Sequence, residues 1–137
     1  MTVREKDVQI LQHIVKHCDR ILDTISYFGG NRSLFMDNHI YQGNVSINLE
    51  AIGEISRHLS DDFLKKTKEI PWKQIKGQRN IFAHGYDTAV DFSKVWDMIT
   101  EDVPFLREFC ADILKDNNCE IIRVEPTAKK ITSPRRK

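Results

Sequence analysis

Apolar residues recur at spacings of three and four along most of the chain. Val8, Leu11, Val15, Cys18, Leu22, Ile25 and Phe28 make one such series. The period matches one face of an α-helix, so the series predicts a long amphipathic helix. Thr2 and Glu5 stand at capping-box spacing at its start, and Gly29-Gly30-Asn31 ends it. A second series, Tyr41, Val45, Leu49, Ile52, Ile55 and Leu59, predicts a helix from Asp37 to about Leu59. Ser60-Asp61-Asp62 reads as a cap followed by acids in the first turn of a short helix. Pro71 suits the first turn of another helix, running from Pro71 or Trp72 to about Tyr86. Phe92, Val95, Ile99, Leu106, Phe109 and Ile113 predict a last helix from Asp91 to Lys115, which Pro104 should kink or split. No strand alternation of useful length competes, although Cys119 to Val124 could add a short extended piece. The expected fold is all-α, an antiparallel bundle of four main helices plus short helices. Residues 1–118 would form the helical domain and 119–137 a basic C-terminal tail.

Composition narrows the setting. The chain has 137 residues, 40% hydrophobic and 30% charged, which suits one globular domain with a core of its own. The net charge is only +1, but it is unevenly spread. From Arg123 onward six basic residues face one acid, Glu125. Such a tail is either a solvated end or a contact for nucleic acid or an acidic partner. Cys18, Cys110 and Cys119 form no CxxC pair, and no signal peptide or membrane-length apolar run is present. A reducing cytoplasm is the expected compartment, with no membrane partner. His13 and His17 have a spacing that can grip a metal, but no second ligand pair accompanies them. Asp61 and Asp62 are explained as helix-start acids, and His39 and His58 have no companions at recognisable spacing. No phosphate-binding loop, dinucleotide fingerprint or nucleophile elbow occurs, so neither metal nor cofactor is expected.

The chemistry concentrates in Arg79-Asn80-Ile81-Phe82-Ala83-His84-Gly85-Tyr86. Arginine offers a permanent cation that clamps phosphate through two bonds. Histidine titrates near neutral pH. Tyrosine offers a face for stacking and a hydroxyl for modification. On a helix Asn80 and His84 share a face, while Arg79 and His84 stand about 140° apart. Ala83 and Gly85 leave room beside the imidazole. RNA cleavage needs an activated 2′-hydroxyl, a stabilised pentacoordinate phosphate and a protonated leaving oxygen. One histidine cannot serve both proton transfers at once. Two copies across a two-fold axis would supply two histidines and two arginines, so chemical need points to a symmetric homodimer. The bland alternative is a surface histidine, a coincidental arginine and a packing tyrosine.

The same segment resembles the HEPN superfamily of small helical ribonuclease domains, and within it the HepT-like toxins. Arg79, Asn80, His84 and Tyr86 fit the pattern R-x4-H-x-Y with Asn after the Arg. Ile52-Gly53-Glu54, Ile70-Pro71-Trp72 with Ile75 and Gly77, and Trp96 with Pro104-Phe105-Leu106 resemble the accompanying elements of that branch. The resemblance spans roughly residues 5 to 115. It implies a metal-independent endoribonuclease, the toxin of a toxin–antitoxin pair, acting on transfer or messenger RNA in a dimer cleft. Its implied partner is an MntA-like nucleotidyltransferase antitoxin that attaches AMP to Tyr86. His84 would transfer protons, Arg79 would bind the scissile phosphate, and Asn80 would orient a phosphate or the imidazole. Glu54 would either pair with Arg79 across helices or be a solvated charge. Gly53 would permit close helix packing, and Trp72 and Trp96 would be core or interface anchors. The alternative is a non-catalytic nucleotide- or partner-binding helical module associated with a nucleotidyltransferase.

Overall fold

The computed structural model describes residues 1–83 and 90–127, with the backbone alone for 78–83. Among the described residues every regular element is helical: α1 (Glu5–Tyr27), α2 (Arg32–Asp37), α3 (His39–Ser56), α4 (Asp61–Lys66), α5 (Trp72–Ala83), α6 (Phe92–Asp97) and α7 (Val103–Asp116). A π-helical turn, Met98–Asp102, joins α6 to α7, so 92–116 is one continuous rod. The all-α expectation holds. Three long bodies, namely α1, α3 and this rod, form the frame, and α5 is shorter at 12 residues. The expected extension of α5 to Tyr86 lies outside the described residues.

The packing order is α7, α1, α3, α5. α1 runs antiparallel to both α3 and α7, as contacts along each seam show. Ser60, just past α3, donates its backbone N–H to Asp7 Oδ1 at 2.9 Å and its hydroxyl to Asp7 Oδ2 at 2.6 Å. At the other end the Phe28 ring stacks on Tyr41, with centroids 4.3 Å apart and planes 10° from parallel. Val3 N–H donates to Asn117 Oδ1 at 3.1 Å, tying the start of α1 to the end of α7. Arg107 Nε meets Asp19 Oδ1 at 2.8 Å halfway along the same seam.

The expected apolar face of α1 is turned slightly. Leu11, Val15 and Cys18 are fully buried, together with Ile10, Ile14 and Ile21, while Val8, Leu22, Ile25 and Phe28 pack at the margin. The Thr2–Glu5 capping box does not form. The helix begins at Glu5, and the Arg4 cap makes no side-chain bond. Asn117 instead holds the preceding strand of backbone at Val3, which fixes the entry of the chain without a local cap. Gly29 and Gly30 close α1 with φ of 81° and 71°, conformations in which a Cβ would be strained. Asn31 then caps α2, which the periodicity did not reveal, by accepting from Leu34 N–H at 3.1 Å. α2 buries Phe35 against Tyr41, Phe92 and Trp96. Ser60 caps α4 as expected, its hydroxyl accepting from Phe63 N–H at 3.2 Å.

The α-helix is interrupted just ahead of Pro104, as expected, and the interruption is a π-helical turn. Proline has no N–H for the preceding turn, and its ring crowds the carbonyl four residues back. The chain widens ahead of it: Val103 N–H reaches back five residues to the Met98 carbonyl. The π-turn therefore accommodates the proline and leaves it in the first turn of α7. No strand forms from Cys119 to Val124. The segment lies along α1, with Gln12 Nε2 donating to the Glu120 carbonyl at 2.8 Å and Thr127 N–H to Asp23 Oδ1 at 2.9 Å.

Two polar features sit inside the α1–α3 seam. Asp7 is 1% exposed, its carboxylate satisfied by Ser60. His17 Nδ1 stands 2.9 Å from Asn48 Oδ1. Asn48 Nδ2 donates to the Asn44 carbonyl, so its oxygen faces the imidazole and Nδ1 carries the proton of the neutral ring. Burial, the chief cause, lowers the His17 pKa. Asn48 opposes that shift, and Lys16, Arg20 and His13 add to it.

Asp7→Ala should destabilise the fold by about 2–3 kcal/mol, because two donors of Ser60 lose a charged acceptor. Urea denaturation checks this, and a loss below about 0.5 kcal/mol would contradict it. His17 charges less readily in the folded chain than in the unfolded one. Its contribution to stability is therefore full above the unfolded pKa of about 6.5 and is lost as pH falls below it. Between pH 7.5 and 5.5 the melting temperature of a His17→Gln chain should fall less than that of the unaltered protein.

Candidate nucleic-acid site

The helix that carries the arginine is fixed at its root. Trp72 is buried, and its indole Nε1 donates to Thr67 Oγ1 at 2.9 Å, while the Thr67 hydroxyl donates to the Phe63 carbonyl at 2.8 Å. Ile70 and Ile75 are buried beside it. Trp72 is thus a core anchor, and Trp96 is its counterpart in the aromatic cluster with Phe35 and Tyr41. α5 leaves the end of the bundle marked by Asp7 and Ser60 and packs along α3. The chain resumes at the other end, where Phe92 meets Phe35. The distal half of α5 is therefore directed toward the aromatic end.

Arg79 and Asn80 are consecutive on that distal half. Their side chains, and all of His84 and Tyr86, lie outside the described residues. Glu54 is described. It sits near the end of α3 with its side chain 51% exposed, 3.4 Å from Arg57 Nη1 and 3.9 Å from His58 Nε2. Those two partners lie just past the C-terminal end of its own helix. The alternative pairing with Arg79 falls on a side chain outside the described residues. Gly53, next to it, is buried within α3.

Two further features escaped the sequence reasoning. Ile40 and Ile47 are 65% and 67% exposed on the outer face of α3. They stand seven residues apart, and Glu54 stands seven beyond Ile47, so the three share one stripe. Gly43 lies on the same stripe with no atom within 4 Å of where its Cβ would stand. The signal was available: two isoleucines at heptad spacing opposite the core series. The second feature is an apolar groove of about 260 Å³ between α3, α5 and α7, lined by Leu49, Ile52, Ile75, Phe105 and Leu106 with Asp102 at its side. Its described lining is mainly apolar, with Asp102 as the one carboxylate.

Among the described residues no three His, Cys, Asp or Glu side chains gather closely enough to hold a metal ion. His17, half of the pair at metal-gripping spacing, is engaged by Asn48. Cys18 and Cys110 are buried, and burial pushes the Cys110 thiol up to about 12, which suits packing and not nucleophilic work. No helix of the described residues is long and apolar enough to cross a membrane.

"Putative RNase MJ1380" of Methanocaldococcus jannaschii is 38% identical over 74 residues, 54% of this chain and 67% of the relative. "Putative RNase TTE0752" of Caldanaerobacter subterraneus subsp. tengcongensis is 28% identical over 105 residues, 77% of this chain and 91% of the relative. "Probable ribonuclease HepT" of Thermococcus cleftensis is 37% identical over 59 residues, 43% of this chain and 53% of the relative. No solved structure matches. The model of the family described as "Ribonuclease HepT-like" matches residues 11–113, which include Arg79 to Tyr86. The chain belongs to the Ribonuclease HepT-like family.

Proposed function

We propose that this protein is a metal-independent endoribonuclease, the toxin of a toxin–antitoxin pair, working as a symmetric homodimer. The observation that carries the reading is the set Arg79, Asn80, His84 and Tyr86 inside the family match, with its first two members on the rooted helix α5. The reaction is transesterification at a phosphodiester. The 2′-oxygen forms a bond to phosphorus and the bond from phosphorus to the 5′-oxygen breaks. One imidazole removes the 2′-hydroxyl proton, and another protonates the departing 5′-oxygen. Arg79 carries the charge that builds on the phosphate in between, and Asn80 orients the phosphate or a ring.

Two proton transfers at one phosphate call for two copies of His84, hence for two subunits. The exposed stripe of Ile40, Gly43 and Ile47 on α3 suits such an association. It is apolar, and Gly43 lets a second helix approach closely. Glu54 continues the stripe and serves as a supporting residue at the cleft. Transfer RNA is the favoured substrate class. An MntA-like nucleotidyltransferase antitoxin would silence the enzyme by transferring AMP to the Tyr86 hydroxyl. The added phosphate and adenine would occupy the path of the RNA backbone next to Arg79.

His84→Ala and Arg79→Ala should each lower RNA cleavage by about 100-fold or more, with unchanged circular dichroism. Cleavage that survives both substitutions would overturn the assignment. Ile47→Asp should convert the dimer to monomer in sedimentation analysis and abolish cleavage along with it. A monomeric variant of full activity would exclude the shared cleft.

A further inference from the structure

One face of α1 is cationic along most of its length. Lys6, Gln9, His13, Lys16, His17 and Arg20 fall within about 100° of arc, at ~100° per residue. Lys6, Gln9, His13 and Arg20 are exposed, and Lys16 and His17 partly so. The acids of the same helix are drawn to other sides. Asp7 is taken by Ser60, Asp19 by Arg107 and Asp23 by Thr127, while Glu5 stands in the first turn. Among the described residues Lys6, Lys16 and Arg20 enter no ion pair. From Lys6 to Arg20 the face runs about 21 Å, at ~1.5 Å per residue.

Beside these cations the α1–α3 seam offers an acceptor and a donor to solvent. His17 carries its proton on Nδ1, 2.9 Å from Asn48 Oδ1, so Nε2 bears the free lone pair. Burial, the chief cause, lowers the His17 pKa and keeps the ring neutral at neutral pH. Nε2 has no partner. Among the described residues the Tyr41 hydroxyl is the one buried side-chain N or O atom left unpaired, so Nε2 is open to water. Asn44 Oδ1 faces the seam, 2.8 Å from the Thr24 hydroxyl and 3.3 Å from Asn48 Nδ2. The Asn44 Nδ2 hydrogens are therefore left for an outside acceptor. The His17 ring and the Asn44 amide flank the Asn48 amide, which touches both. Asn44 lies on the α1 side of the stripe of Ile40 and Ile47, about 40–60° around α3, so the face borders the proposed association surface.

We propose that this face binds the sugar–phosphate backbone of RNA outside the cleavage site, with Lys16 and Arg20 on phosphates and His17 and Asn44 on a ribose 2′-hydroxyl. The inference rests on the ribonuclease reading, which makes RNA the polyanion the protein meets. A row of cations with no acid among them suits a backbone of regular negative charge. Such contacts add affinity and no sequence preference. The 2′-hydroxyl is both donor and acceptor: it donates to His17 Nε2 and accepts from Asn44 Nδ2. DNA lacks that group, so the pair tells the two backbones apart where cations alone would not. An acidic protein surface would engage the cations and leave the acceptor–donor pair idle.

The test uses fluorescein-labelled single-stranded RNA and DNA oligonucleotides of matching sequence. All chains carry His84→Ala, so that binding is read without cleavage. Anisotropy titrations across a salt series compare this parent with three variants. Lys16→Gln with Arg20→Gln should weaken binding of RNA and DNA alike, by about tenfold at low salt. The slope of log affinity against log salt should flatten by about 1.4, at roughly 0.7 per phosphate contact. His17→Phe and Asn44→Ala should each weaken RNA binding by about fivefold and leave DNA binding unchanged. Circular dichroism checks the fold, and Asn44→Ala carries the comparison where His17→Phe does not fold. Unaltered affinity and slope in the double variant would overturn the proposal. So would an RNA-over-DNA preference that neither His17→Phe nor Asn44→Ala reduces. Unaltered RNA affinity combined with lost binding of a nucleotidyltransferase partner would also overturn it, by assigning the face to protein recognition. With His84 restored, a chain that binds RNA through this face and never cleaves it would uphold the face and defeat the nuclease reading instead.

Discussion

The seam between α1 and α3 is clamped at both ends. A buried carboxylate holds one end, where Asp7 accepts two bonds from Ser60, and stacked rings hold the other, where Phe28 lies on Tyr41. The clamp fixes the direction of α3, and α3 is the helix against which α5 packs. Ser60 has a second task, since it also caps α4. That short helix delivers Phe63 and Thr67 to the Trp72 indole. One buried acid therefore sets both the partner of α5 and the anchor at its root. The start of α5 inherits its placement from this arrangement.

Much of the frame was legible from local signals. The helical series in α1, α3 and the final rod, the Ser60 cap and the glycine stop at residues 29 and 30 all rest on interactions within a few residues. What escaped depends on partners distant in sequence. Asp7 looks like any first-turn acid until Ser60 meets it, 53 residues on. Thr2 had the spacing of a cap, but Asn117 fixed the backbone there first. α2 is too short to show a period, and its stability comes from Phe35 inserted among Tyr41, Phe92 and Trp96. The tail read as a loose end because Gln12 and Asp23 announce nothing in a helical pattern. The site was legible in a different way. Its chemistry was read from residue types together with a family resemblance, and the family match spans the segment that carries it. The side chains of Arg79, Asn80, His84 and Tyr86 lie outside the described residues.

The chemistry and the surface make the same demand. A single motif supplies one imidazole for a reaction with two proton transfers, and a single subunit leaves Ile40 and Ile47 in water on the helix beside it. Association of two subunits through that face would answer both. Under the proposed function, AMP on Tyr86 would add negative charge and bulk to the motif that binds the phosphate. The apolar groove beside Phe105 stands apart from this chemistry, since its described lining carries no acid–base pair.

The most direct measurement is of the reaction products. Purified protein should be incubated with RNA in excess EDTA, beside an identical RNA lacking the 2′-hydroxyl at the cleaved nucleotide, and the new ends should be determined. Attack by the 2′-oxygen predicts 2′,3′-cyclic phosphate and 5′-hydroxyl ends with EDTA present, and no cut in the deoxy-substituted RNA. Cleavage of the substituted RNA at the same place, or cleavage that stops when divalent metal is removed, would contradict the account.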